Sequence, residues 1–86
     1  MMEIAAEAVE PLTELGPLRI VAETVDGEVE LEIEAVDGAE EGDVTVELGG
    51  ARVFLDALAA ETLADQVFGV ECHDDHYHFT FEPQAG

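Results

Sequence analysis

The stretch LRIVAETVDGEVELEIEAV, residues 18–36, carries the strongest structural signal in this chain. Asp26–Gly27 lies near its centre, and both residues of such a pair tolerate the positive φ angles of a two-residue hairpin turn. After the turn, glutamate alternates with aliphatic residues along positions 28–36. A period of two is typical of a strand with one face in the core and one in water. We therefore predict an antiparallel hairpin of strands 18–25 and 28–36, with its glutamate row forming a solvated face rather than a cation site.

Outward from this hairpin, the sequence predicts two short helices and four further strands. A helix over residues 4–15 has apolar residues at helical spacing, but Pro11 requires a kink or a later start. An acidic loop covers residues 37–43. Asp56 is placed to cap a second helix that runs to about residue 65. The further strands are expected at residues 44–48, 51–55, 67–73 and 76–82.

The buried face of the second helix is predicted to consist of Leu58, Ala59, Thr62 and Leu63. Long antiparallel stretches with segregated helices indicate an α+β, mainly β class. At 86 residues the chain has room for one domain, spanning residues 1–86.

The composition is extremely acidic. Asp and Glu number 22 against two Arg and no Lys, which gives a net charge of 2 − 22 = −20. Hydrophobic residues make up 48%, which favours a folded domain over an acidic tail. The missing basic clusters exclude nucleic acid and anionic membranes as expected partners. Because the charge is spread along the chain, we interpret it as adaptation to a salt-rich cytoplasm, where about 1 M salt shortens the Debye length to roughly 3 Å. The alternative is an acidic partner-binding protein from an ordinary cell.

Localisation is predicted from three features. The sequence has no apolar run of about 18 residues and no basic segment followed by an apolar one at its N-terminus, so neither a membrane helix nor a secretory signal is expected. Cys72 is the single cysteine and has no partner for an internal disulfide. Together these features favour the cytoplasm.

The segment ECHDDHYH, residues 71–78, contains all three histidines and the single cysteine. If Asp74–Asp75 forms a two-residue turn, directly paired residues share a face of the hairpin. One face then holds Glu71, His73, His76 and His78. The other is apolar and is predicted to lie in the core, with Phe68, Val70, Cys72, Tyr77, Phe79 and Phe81 on it.

The face with Glu71, His73, His76 and His78 is a candidate divalent-metal site, since imidazole and carboxylate ligands suit zinc, copper or nickel. The alternatives are solvated strand residues and adventitious binding of a purification metal. We interpret Cys72 as a buried structural residue, because apolar neighbours and a negative field both oppose thiolate formation. The chain has no Ser, and no nucleophile–base pair or phosphate-cradling loop is evident, so we expect no enzyme.

The order of these segments resembles the HesB/IscA-like family of A-type iron–sulfur carriers. MEIAAEAVEPLTEL, residues 2–15, is similar to that family's opening short strand and Ala-rich helix. VELEIEAVDGAEEGDVTVELGGARVFLD, residues 29–56, is similar to its second and third strands, acidic loop, Gly turn and a strand ending in a V-x-x-D pattern. HFTF, residues 78–81, is similar to its final strand, followed by Pro83. The resemblance implies a HesB-like sheet or sandwich of about six to seven mostly antiparallel or mixed strands with two short helices.

The chain departs from this family at the cluster ligands. Members that carry clusters use one cysteine after the first hairpin strand and a C-x-C pair near the C-terminus. The first position falls near Asp26–Gly27, the pair is absent up to Gly86, and Cys72 lies at neither place. The resemblance therefore implies the fold and a non-catalytic binding or accessory role related to iron–sulfur cluster biogenesis, with no cluster held in the family's way. A divalent-metal-binding protein and a stand-alone interaction module that dimerises through a sheet edge or an apolar helix face are the alternatives, so a protein partner and a homo-oligomer both stay open.

Overall fold

The computed structural model describes residues 1–84, which form two β-sheets and two short α-helices. The elements in chain order are β1 Glu3–Ile4, α1 Val9–Leu15, β2 Leu18–Val25, β3 Glu28–Ala35, β4 Val44–Leu48, β5 Ala51–Leu55, α2 Ala57–Thr62, β6 Gln66–His73 and β7 His76–Pro83. A 3₁₀ turn at Ala6–Ala8 precedes α1. The predicted α+β, mainly β class and the predicted strand number are confirmed over this part of the chain.

The strands form two mixed sheets. One has the order β3-β2-β5-β4, and the other has the order β1-β6-β7. Two long antiparallel hairpins, β2–β3 and β6–β7, supply most of the pairing. Parallel pairs are short: β5 pairs with β2 over Leu18–Ile20, and β1 pairs with β6 at Val67 and Phe68. Each hairpin therefore has a supported base and a distal half that is only two-stranded.

One buried cluster connects the two sheets and both helices. Its largest fully buried side chains are Met2, Leu12, Ile20, Val53, Leu55 and Phe68. Asp56 fixes α2 on this cluster, since its Oδ1 accepts hydrogen bonds from the Ala59 N–H at 2.7 Å and the Ala22 N–H at 3.4 Å. The predicted capping role of Asp56 is thus confirmed, and the same carboxylate also joins α2 to β2.

The N-terminal helix starts later than residue 4, which is one of the two alternatives that Pro11 left open. Ile4 lies in β1 and not in a helix, which matches the opening strand that the family resemblance implies. The α-helix begins at Val9, so Pro11 falls in the first turn, where an N–H has no helical acceptor to lose. Gly16 ends the helix with a φ of 83° and a ψ of −172°, a combination that glycine adopts without a Cβ penalty.

One further boundary and three burial predictions need correction. The second helix ends at Thr62 instead of about residue 65, and Thr62 is exposed. On β3, Val29 and Ala35 are exposed although the alternation placed them on the core face. For Val29 the reason is topological, because β5 supports β2 only as far as Ile20 and leaves the distal hairpin outside the core.

Candidate functional site

The β6–β7 hairpin has the predicted register throughout. His73 pairs with His76, Cys72 with Tyr77 and Glu71 with His78. The turn residues Asp74 and Asp75 have φ angles of 45° and 71°. Both values are left-handed, as a tight two-residue turn that follows the twist of its strands requires. The turn chemistry thus sets which side chains share a face.

Aromatic stacking holds the base of this hairpin. Phe68 is fully buried, and its ring centre lies 5.6 Å from that of Phe79 and 5.2 Å from that of Phe81. Core burial ends at Val70, which is 7% exposed. Every residue from Glu71 to His78 is exposed, so the distal part of the hairpin extends into solvent.

The outer face of this distal part holds the predicted candidate ligands. The ring centres of His73 and His78 lie 5.8 Å apart with an interplanar angle of 60°. His73 Nε2 lies 3.6 Å from Glu71 Oε2. Across residues 1–84, no three or more His, Cys, Asp or Glu side chains surround a common point in a metal-holding arrangement. The structure therefore brings Glu71, His73 and His78 close together, and His76 faces His73 across the hairpin, without a closed coordination site.

The prediction that Cys72 is buried is wrong, because Cys72 is exposed. Strand alternation places it on the same side as Phe79, but the hairpin has already passed the core at this position. Its paired residue Tyr77 is also 38% exposed. Between the hairpin and α1 runs an open groove of about 340 Å³, lined by Glu7, Glu10, Pro11, Glu14, Val70, Cys72 and Tyr77.

A second cluster, around Arg19, was not predicted. Arg19 donates from Nε to Asp43 Oδ2 at 2.9 Å and from Nη2 to Asp43 Oδ1 at 3.1 Å. Glu40 and Glu34 lie at 3.2 Å and 3.8 Å from the same guanidinium group. Asp43 Oδ2 also accepts from the Glu40 N–H at 2.9 Å, which closes the acidic loop against β2. The available signal was that Arg19 is one of only two cations in the sequence, placed on an outward strand position.

The Arg19–Asp43 pair changes the titration of both groups. The hydrogen bond from Arg19 lowers the pKa of the Asp43 carboxyl below its ordinary value, with help from the Glu40 N–H and against the effect of burial. The same hydrogen bond raises the pKa of Arg19, and the charges of nearby carboxylates add to this effect. The Asp43 side chain is only 2% exposed. The bidentate geometry indicates a structural clamp on the acidic loop.

The position that the resemblance assigns to the first cluster cysteine lies at the opposite hairpin. Asp26 and Gly27 form the β2–β3 turn, with φ angles of 51° and 81°. Cys72 belongs to the other sheet.

The described residues contain no helix with the length and apolar character needed to span a membrane.

Comparison with known proteins shows likeness in fold. No family model matches the sequence, and a search of curated proteins gives no match. Among solved structures, IscA with its [2Fe-2S] cluster matches with a TM-score of 0.75 and 20% identity, over 96% of this chain and 85% of that chain. Escherichia coli SufA, involved in biosynthesis of iron–sulfur clusters, matches with a TM-score of 0.80 and 14% identity, over 95% of this chain and 79% of that chain. The chain has the IscA/SufA fold. The predicted HesB/IscA-like fold is confirmed, and the single cysteine is consistent with missing cluster ligands.

Proposed function

We propose that this IscA-like chain is a non-catalytic binding or accessory protein in iron–sulfur cluster biogenesis, and that it works in a salt-rich cytoplasm without a cluster on its single cysteine. The observation that carries the proposal is the fold shared with IscA and SufA over 95% or more of the chain. The extreme acidity supports the salt-rich setting, since a net charge of −20 on a small core repels itself in dilute buffer.

The residues present do not fit a cysteine-ligated cluster. Iron–sulfur clusters are held by several Cys thiolates, with His replacing some of them in Rieske centres. This chain has one cysteine, Cys72, and its turn at Asp26–Gly27 has no sulfur. The three histidines lie on the face of the hairpin opposite Cys72, so they do not complete a set with its thiol. This chain therefore does not carry a cluster on thiolates as the family does, and its accessory role is contact with proteins that do.

Cluster transfer between other proteins provides the test. A scaffold protein loaded with a [2Fe–2S] cluster is mixed with an apo-ferredoxin in 2 M KCl, and transfer is followed by visible circular dichroism. We expect an equimolar amount of this chain to change the transfer rate by about threefold or more, a free-energy difference of roughly 0.7 kcal/mol. An unchanged rate would contradict the accessory role.

Two controls make this result interpretable. Phe68→Ala removes the fully buried aromatic at the base of β6–β7 and should weaken the effect by destabilising the fold. Anaerobic incubation of the chain alone with ferrous iron and sulfide should give no cluster absorption. Stable cluster formation by the chain itself would show that it is a carrier and would overturn the proposal that it is not.

The alternative of a stand-alone interaction module makes a separate prediction. Strand β3 is an outer strand of its sheet, and Val29 on it is 46% exposed. An exposed strand edge with partly uncovered apolar residues is a common pairing surface. Light scattering in 2 M KCl should give twice the 9.2 kDa chain mass if the chain dimerises there. A monomer would exclude the dimeric module.

A further inference from the structure

The exposed end of the β6–β7 hairpin gathers four metal-ligating side chains on one face. Glu71 pairs directly with His78, and His73 pairs directly with His76. Directly paired residues of an antiparallel hairpin have their Cβ atoms about 4.5–5.5 Å apart and share a face. The four side chains therefore occupy the corners of one small block, with the apolar face of the hairpin behind them. All four are exposed.

The distances within this block are close to those of a metal site. The ring centres of His73 and His78 are 5.8 Å apart. With zinc–nitrogen bonds of about 2.0–2.1 Å and tetrahedral angles, two imidazoles on one zinc ion have ring centres roughly 5 Å apart. Coordination also requires the rings to rotate until one nitrogen of each points to a common centre, because no three such ligands converge within residues 1–84. Glu71 Oε2 is 3.6 Å from His73 Nε2, so a carboxylate oxygen already lies beside one of the two rings.

The block is open, and this limits the expected affinity. The side chains of His73 and Glu71 are 66% and 64% exposed. A cation must order these mobile side chains, which costs conformational entropy. Apart from the contact between Glu71 and His73, no side-chain hydrogen bond among residues 1–84 orients the imidazoles. Binding is therefore expected at micromolar strength or weaker.

We propose that this face binds one divalent transition-metal cation of the zinc type, with His73 and His78 as its first two ligands and with Glu71 and His76 completing the shell. Imidazole nitrogens select zinc, copper or nickel over magnesium or calcium, which prefer all-oxygen sites. The net charge of −20 raises the local concentration of any cation. The site is independent of the accessory function and lies on the face opposite Cys72.

Zinc titration of matched variants tests the proposal. The full chain is purified without a metal column, stripped with a chelator and titrated with zinc chloride by calorimetry. The titration is done in 2 M KCl, because this salt screens the general attraction of zinc to surface carboxylates. We expect one zinc per chain. His73→Asn and His78→Asn should each weaken binding about tenfold or more, and the double variant should remove it. A double variant that binds zinc like the parent chain would overturn the site.

A charge-matched pair separates ligation from general attraction. Glu71→Gln and Glu30→Gln each remove one negative charge from an exposed strand face, but Glu30 lies on β3, outside the block. Glu71→Gln should weaken zinc binding by about fivefold or more, whereas Glu30→Gln should change it by less than about twofold. Equal effects of the two changes would show that the acidic surface, and not this block, attracts the cation. Far-ultraviolet circular dichroism confirms that each variant is folded before titration.

Discussion

The β2–β3 and β6–β7 hairpins use the same construction for different surface chemistry. Each has eight-residue strands, a two-residue turn with left-handed φ angles, and a distal half beyond the core. The outer face of β3 presents four glutamates, whereas the distal part of the outer face of β6–β7 presents three histidines and one glutamate. The comparison teaches that burial lies at the bases of the hairpins, while their distal halves carry the surface chemistry in which the two differ.

The largest effect is expected at the base of β6–β7. Phe68→Ala should lower the free energy of unfolding by about 3–5 kcal/mol, because it removes a fully buried ring and its stacking on Phe79 and Phe81. Val25→Ala, near the turn of β2–β3, should change it by less than about 0.5 kcal/mol, since Val25 is 41% exposed. Urea unfolding in 2 M KCl measures both. Similar losses for the two variants would show that base and distal half contribute alike.

The second effect is the response to salt. The melting temperature should rise steeply between about 0.1 M and 2 M KCl, because screening removes self-repulsion at a net charge of −20. Replacing Glu30 and Glu32 together with Gln should reduce this rise, since both belong to the glutamate row of β3. Replacing His73 and His76 with Gln should leave it nearly unchanged. A melting temperature that is flat across this range would refute the halophilic interpretation.

The hairpins also show what the sequence could and could not predict. The register of β6–β7 followed from alternation and a two-residue turn, and each predicted pair is present. Alternation identifies the face on which a side chain lies but not whether the core reaches that far, so Cys72 was placed on the correct face and wrongly buried. In the same way the histidine face was predicted, while the distances between its side chains depend on rotamers that no sequence pattern specifies.

Long-range contacts were the other gap. Arg19 and Asp43 are separated by 24 residues and meet only because the acidic loop folds back against β2. In a chain with 22 carboxylates, no local pattern selects the one that Arg19 binds. The predicted helix over residues 4–15 is present from Val9 onward, and only its first residues differ. Short apolar segments fit a helix or a buried strand equally well, and the parallel pairing of Ile4 with Phe68 makes that part a strand.

The third prediction concerns acid. It tests the Arg19–Asp43 ion pair, which joins the acidic loop to the β2–β3 hairpin. Asp43 has a lowered pKa in the folded chain, so its ion pair with Arg19 stabilises the fold at neutral pH. This contribution is complete above the ordinary carboxyl range near pH 4 and is lost as pH falls through the lowered folded value. Mild acidification to about pH 4.5 should raise stability, because it reduces the repulsion within a chain of net charge −20. Stronger acid should reverse this gain, because it protonates Asp43 and breaks its ion pair with Arg19.

Asp43→Asn tests this assignment. The variant should be less stable than the parent at pH 7, and the difference should shrink as the pH falls below about 4, where Asp43 becomes protonated in the parent chain. Asp65→Asn is a suitable control, because Asp65 is exposed and no ion pair involves it within residues 1–84. Thermal melts from pH 3 to pH 7 give the comparison. A difference between Asp43→Asn and parent that stays constant with pH would contradict the clamp.

The smallest effect is expected from exchanging turn residues between the hairpins. The second turn residue has a φ of 81° at Gly27 and 71° at Asp75. Glycine adopts this conformation without a Cβ penalty, whereas aspartate is only partly tolerant of it. Asp75→Gly should therefore stabilise the fold, and Gly27→Asp should destabilise it, each by about 0.5–1 kcal/mol. A Cβ at Gly27 would meet no atom within 4 Å, so its cost comes from the backbone alone.

The two changes are informative because they are reciprocal. Asp75→Gly gives the histidine hairpin the same turn pair as Asp26–Gly27, and Gly27→Asp gives the glutamate hairpin the same pair as Asp74–Asp75. Urea unfolding in 2 M KCl should show effects of opposite sign and similar size, and Asp75→Ala should destabilise because alanine adds a Cβ without the local hydrogen bonding of aspartate. Asp75→Gly also removes one negative charge. Asp74→Asn controls for this loss of repulsion, because it removes a charge but retains a residue that tolerates left-handed φ. If Asp74→Asn stabilised as much as Asp75→Gly, charge and not backbone conformation would distinguish the two turns.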